Sequence, residues 1–236
     1  MLKKTVVLIA ASLLISQLVF SQIKPFRFGL KVAPNIGWIS PDTEDYNKDG
    51  SAPGFSWGFI SDFAITENYH VGTGFNINYL NSKLTYPHKI TEIENNDTTS
   101  YLGTMSSKMK LRYIDIPLTL KMKTNKFDML QVYGQIGFSL GFNLKAKSDD
   151  SFEETEGEYT YSKNDHNISD DVTLLKGALI LGGGVEYYLD NSTSIIAGIT
   201  YSNGISNVLK GNNSANPSLK QKATLHFIEL TLGVIF

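Results

Sequence analysis

"QVYGQIGFSLGFNLK", residues 131–145, alternates between two kinds of residue almost without fault. Val132, Gly134, Ile136, Phe138, Leu140, Phe142 and Leu144 fall on one parity. Gln131, Tyr133, Gln135, Gly137, Ser139, Gly141, Asn143 and Lys145 fall on the other. Successive side chains of a β-strand point to opposite faces, so this is a strand with one oily and one polar face. Which face looks outward decides both the fold and its surroundings.

The rest of the chain narrows the choice. Its 236 residues suffice for one domain of the larger all-β kind, and a net charge of −2 gives no electrostatic reason to expect nucleic acid. With no cysteine, disulfides, thiolate metal sites and a lipidated N-terminal Cys are excluded. Abundant glycine, 11% aromatic residues and near-neutral mean hydropathy suit many strands joined by polar loops. The first residues read as an export signal: Lys3 and Lys4, an apolar stretch from Val6 to Leu14, then Val19-Phe20-Ser21 before a cleavage between Ser21 and Gln22. Residues 1–21 are therefore expected to be a signal peptide and 22–236 the mature domain. No later stretch approaches the ~18 uninterrupted apolar residues of a spanning helix.

Period-2 alternation predicts eight strands, at about 26–38, 54–65, 69–86, 108–123, 128–146, 172–189, 193–209 and 221–236. Three connections are tight and rich in turn formers: Thr66-Glu67-Asn68, Thr124-Asn125-Lys126 and Asp190-Asn191-Ser192. Four are expected to be long polar loops, at about 39–53, 87–107, 147–171 and 210–220. An even strand count with short turns at one end and long loops at the other predicts an all-β, eight-stranded antiparallel up-and-down transmembrane β-barrel in the bacterial outer membrane. The termini are then periplasmic and the long loops extracellular.

The alternative is a soluble lipocalin-like barrel with the oily parity inside, binding an apolar ligand. Two features oppose it. The polar parity is rich in glycine (Gly29, Gly137, Gly182, Gly198), which weakens a solvated strand but makes room inside a narrow barrel. Aromatic residues of the oily parity also fall at two levels. Phe26, Phe63, Tyr187 and Phe236 lie near the short turns, and Trp38, Trp57, Tyr79 and Tyr201 lie farther up. About ten residues separate the levels, roughly 25 Å at ~3.3 Å rise and ~40° tilt, the height of a lipid band between aromatic girdles.

"YIDIPLTLK" at 113–121, "GGGVEYYL" at 182–189 and the terminal "ELTLGVIF" resemble the PorT-like outer-membrane β-barrel proteins of the Bacteroidetes. The resemblance spans the mature chain. It implies a barrel, and for the namesake a part in protein secretion, but no catalytic residues. Within the motif, Pro117 cannot donate to a sheet ladder and is expected to mark a bulge, and Asp115 beside it needs a partner.

The inward parity predicts a lumen charge cluster: Arg27, Lys121, Asp62 and Glu186 low, with Lys31, Asp115 and Glu229 nearer mid-height. Eight strands leave no open channel, so these charges are expected to form a largely self-neutralising plug, with one unmatched carboxylate in the middle tier. "DYNKDG" at 45–50 begins like a calcium loop but has Ser56 where the bidentate Glu belongs. Residues 147–171 carry nine carboxylates and read as a solvated loop. His70, His88, His166 and His226 lack metal-ligand spacing, and no Ser or Asp motif accompanies them.

The expectation is a non-enzymatic protein without cofactor, metal site or catalytic residues. Its partners would be outer-membrane lipid and lipopolysaccharide, and an envelope protein in a structural or accessory, secretion-type assembly. A narrow ion or small-solute transit barrel is the alternative.

Overall fold

A computed structural model describes residues 26–94 and 97–236; the expected signal peptide lies outside them. Nine strands run in chain order: β1 (Phe26–Pro41), β2 (Asn47–Ala64), β3 (Tyr69–Glu94), β4 (Asp97–Lys123), β5 (Leu130–Glu154), β6 (Thr160–Asn167), β7 (Leu175–Tyr188), β8 (Ser194–Gly204) and β9 (Ala223–Ile235). Eight of them close a wall in the order β1-β2-β3-β4-β5-β7-β8-β9, every pair antiparallel, with β9 returning to β1. Closure leaves no unpaired wall edge at this level, as a strand surrounded by lipid requires. Phe236 completes it, its N–H donating to the Phe28 carbonyl at 2.7 Å.

The oily parity is outside. Leu30, Leu181, Leu230 and Leu232 are each more than half exposed, while Arg27, Asp62, Lys121 and Glu186 on the other parity are nearly inaccessible. This polarity removes the soluble lipocalin-like reading, which needs the oily residues within. Phe26, Phe63, Tyr187 and Phe236 stand exposed on the outer wall near the short turns. At the other end Trp38 stacks with Tyr201 at 6.0 Å, and Tyr79 is in register with Phe55. Trp57 lies one outward step lower, between Val32 and Ile77.

Three expectations about the long-loop end are corrected. Residues 87–107 are not a loop: β3 and β4 continue through them to the register pair Glu94↔Asp97. Residues 147–171 are mostly sheet as well, because β5 runs to Glu154 and pairs with the ninth strand, β6. Much of 39–53 belongs to β1 and β2. These stretches are polar, but they carry β-branched and aromatic residues such as Ile90, Thr91, Thr98, Thr99 and Tyr101 that suit a pleated surface once a partner strand is present.

The expected bulge at Pro117 is absent. Pairing is interrupted between Gly72↔Thr119 and Asn76↔Asp115 without a change of register, and the Thr73 hydroxyl donates to the Pro117 carbonyl at 2.8 Å. The bulge lies instead in β5, where Tyr113 pairs with Asn143 and Arg112 with Lys145. Leu144 and Lys145 both face outward there, so the parity flips and Ala146, Ser148 and Phe152 point inward above it.

Candidate functional site

Lumen residues lie in tiers. In the lowest, Arg27 donates to Glu186 at 2.8 Å and to the Tyr188 hydroxyl at 3.1 Å, and Lys121 contacts Asp62 at 2.7 Å. Lys123, absent from the sequence-based set, lies 2.8 Å from Glu186 and 3.6 Å from Asp62. It continues the odd inward parity of β4 one step below Lys121 and could have been found by that count. Above it Lys31 meets Glu229 at 2.5 Å. Between these tiers a cavity of about 80 Å³ touches Asp62, Lys121, Tyr133, Gln135 and Glu229, with room for roughly three waters at ~30 Å³ each.

The expected unmatched carboxylate is also corrected. Asp115 accepts from Lys176 at 2.6 Å and from Asn78 at 2.7 Å. Lys176 sits on β7, 61 positions along the chain, so only closure of the barrel brings the two together. The ionic excess therefore moves to the lowest tier, where, among the described residues, Arg27, Lys121 and Lys123 form their ion pairs with Asp62 and Glu186 alone.

Above Asp115 the lumen turns apolar, which the sequence reading missed. Leu80 and Leu84 of β3, Leu111 and Tyr113 of β4, and Leu225 and Phe227 of β9 are each no more than 5% exposed and form one cluster. Ile168, Val172, Val208 and Leu209 cap it from the segments between β6 and β7 and between β8 and β9. These segments tie to each other and to β9: Thr173 N–H donates to the Val208 carbonyl at 2.9 Å, and Val208 N–H to the Ala223 carbonyl at 2.9 Å. A signal existed, because apolar residues of β3 occupy the polar parity from Leu80 upward.

On top of this cap, enclosed by the extended sheet, lies a cleft of about 470 Å³. Its lining mixes Tyr46, Tyr86, Met105 and Tyr161 with Asp150, Lys163, His88 and His166. Aromatic walls with a few convergent polar groups are the usual make-up of a ligand pocket. The fold brings together residues that looked isolated in sequence. Asp150 accepts from Ser107 at 2.5 Å and Ser148 at 3.0 Å, and lies 3.3 Å from His166 Nε2. Ser148 also lies 3.2 Å from His166 Nδ1. Ser148 is fully buried, so it is not presented as a nucleophile. Ser214 accepts from the Lys89 N–H at 2.9 Å and meets His88 Nδ1 at 2.8 Å. Burial lowers the pKa of His88 by disfavouring its cation. Among the described residues no group of His, Asp and Glu is arranged to hold a metal ion.

Closed wall, oily exterior and charged lumen define an outer-membrane β-barrel. Residues 16–210 match the outer membrane protein beta-barrel domain family, and the chain belongs to that family. No curated protein matches it in sequence. Among solved structures it is similar to Neisserial surface protein A, with 14% identity, a TM-score of 0.50, and coverage of 90% of this chain and 96% of that one. It is also similar to OprG from Pseudomonas aeruginosa, with 10% identity, a TM-score of 0.45, and coverage of 89% and 95%. The outer membrane protease OmpT from Escherichia coli gives 11% identity, a TM-score of 0.39, and coverage of 90% and 97%. At such identities the likeness is one of fold.

Proposed function

We propose that this protein is a non-conducting, non-enzymatic barrel that holds a binding platform at the cell surface. The termini and short turns face the periplasm, the β3–β6 extension stands outside the cell, and residues 1–21 are the export signal. The two aromatic levels mark the membrane interfaces. One observation carries the reading: the lumen is closed by an ion-pair tier and an apolar core, while the wall continues above them around an open cleft. The apolar core blocks ion or solute transit, because a hydrated ion would lose its water there without polar replacement. Its partner is an envelope or extracellular component held in the cleft, in keeping with the secretion-type assembly that a PorT-like resemblance implies.

Two measurements test this. In planar bilayers the protein gives no unitary conductance steps; a steady single-channel current would return the transit reading. A photo-crosslinking residue is then placed at Tyr161, on the cleft, or at Leu181, on the outer wall, in intact cells. A defined adduct from position 161 and only lipid from position 181 supports the platform, and no adduct from 161 refutes it.

A further inference from the structure

A cationic patch lies on the outer wall just above the aliphatic band. Lys83 of β3, Lys108, Lys110 and Arg112 of β4, and Lys145 and Lys147 of β5 stand side by side there. Asp149 and Asp165 are the carboxylates among them: Lys110 contacts Asp149 at 2.7 Å, and Lys147 pairs with Asp165. The patch thus carries four more positive charges than negative on a chain whose net charge is −2.

Its arrangement is costly without a ligand. Lys83 is directly opposite Lys108, Lys110 opposite Lys147, and Arg112 opposite Lys145. Like charges directly opposite across a ladder destabilise a sheet. Lys108 stands opposite Asp149 on its other side, yet among the described residues no carboxylate comes within salt-bridge distance of Lys83, Lys108, Arg112 or Lys145. Arg112 lies 4.5 Å over the Tyr79 ring, and its Nε is buried without a hydrogen-bond partner. A groove of about 390 Å³ runs between Tyr79, Arg112, Lys145 and Lys147. The β5 bulge makes this patch, since uninterrupted alternation would turn Lys145 and Lys147 into the lumen.

Its height identifies the ligand class. From the Tyr69↔Met122 pair to the Tyr79↔Arg112 pair is ten residues along each strand, roughly 25 Å at ~3.3 Å rise and ~40° tilt. Below Arg112 the wall presents Ile116, Leu118 and Leu140, exposed and aliphatic. Cations therefore begin where acyl chains end. We propose that this patch binds the phosphate groups of an outer-leaflet glycolipid of the lipid A type, with its acyl chains lying on the aliphatic wall beneath. The site rests on the orientation proposed above but not on the cleft having a partner.

The full-length barrel in neutral detergent is titrated with diphosphoryl lipid A, and bound lipid is counted by native mass spectrometry. Each cation near an anionic lipid surface is worth about fivefold in affinity, so Arg112→Gln/Lys145→Gln should bind roughly 30-fold more weakly. Lys210→Gln, on an exposed loop, should bind like the parent. Raising salt should narrow the difference. Because the double change removes a like-charge pair, it should unfold in phosphatidylcholine vesicles at no lower urea concentration than the parent. If the double variant does not fold, Lys145→Gln alone should still weaken binding about fivefold. Equal retention of lipid A and phosphatidylcholine, or unchanged binding by the variants, overturns the assignment. So does displacement of lipid A by inorganic phosphate at comparable concentration, which would make this a soluble-anion site.

Discussion

Lys176→Met removes one half of a buried ion pair and leaves a side chain of similar length. Both partners are about 3% exposed and their charged atoms are 2.6 Å apart. Without Lys176, Asp115 keeps only the Asn78 amide on Oδ2, and its Oδ1 has no partner. Breaking a buried pair on one side costs about 3–5 kcal/mol, because the remaining charge stays desolvated. Asp115→Asn alone should cost a similar amount by stranding Lys176. The double variant Asp115→Asn/Lys176→Met leaves neither charge and should lose less than either single variant, a coupling of about 2 kcal/mol or more. Urea unfolding in phosphatidylcholine vesicles measures this through Trp38 and Trp57, the only two tryptophans, both on the outer wall. Heat-modifiable migration on cold gels checks that each variant closes its barrel. If all three unfold at the parental urea midpoint, or if the double variant loses the sum of the singles, the pair does not hold the lumen tier together as described.

Other consequences can be checked as directly. A Cβ at Gly198 would strike the Tyr133 hydroxyl, so Gly198→Ala should cost about 1–3 kcal/mol in the same assay, with part of the loss recovered in Tyr133→Phe. Deleting Leu144 removes the bulge yet leaves Lys145 opposite Arg112 and Lys147 facing outward, because Leu144 is the extra residue of β5. The variant should keep heat-modifiable migration and resist limited proteolysis within 145–167 like the parent, and new cleavage there would contradict the register described. His88 should titrate below its ordinary value of 6.5 by NMR of labelled histidine, because burial disfavours its cation. With the folded pKa below the unfolded one, its contribution is full above about 6.5 and falls as pH drops toward the folded value. A His88 titration at or above 6.5 would contradict the burial described.

The alternation of residues 131–144 and its counterparts already settled that the wall has eight strands, which parity faces lipid, and where the short turns lie. Those properties are local, since each strand's faces follow from its own period of two. Arg27, Asp62, Lys121 and Glu186 were placed in the lumen by the same count. Pairing decided the rest. Lys176 meets Asp115 only because the barrel closes, and the strand character of 87–107 and 147–154 depends on partners that those polar stretches find in each other. A bulge belongs to two strands rather than one, so alternation alone sent Lys145 inward and the register with Arg112 turned it out. Leu80, Leu111 and Phe227 come from three separate strands, and whether their shared parity forms one buried apolar cluster is settled by what caps them. Val172 and Val208 supply that cap, from segments whose positions follow from the tertiary contacts of the closed barrel.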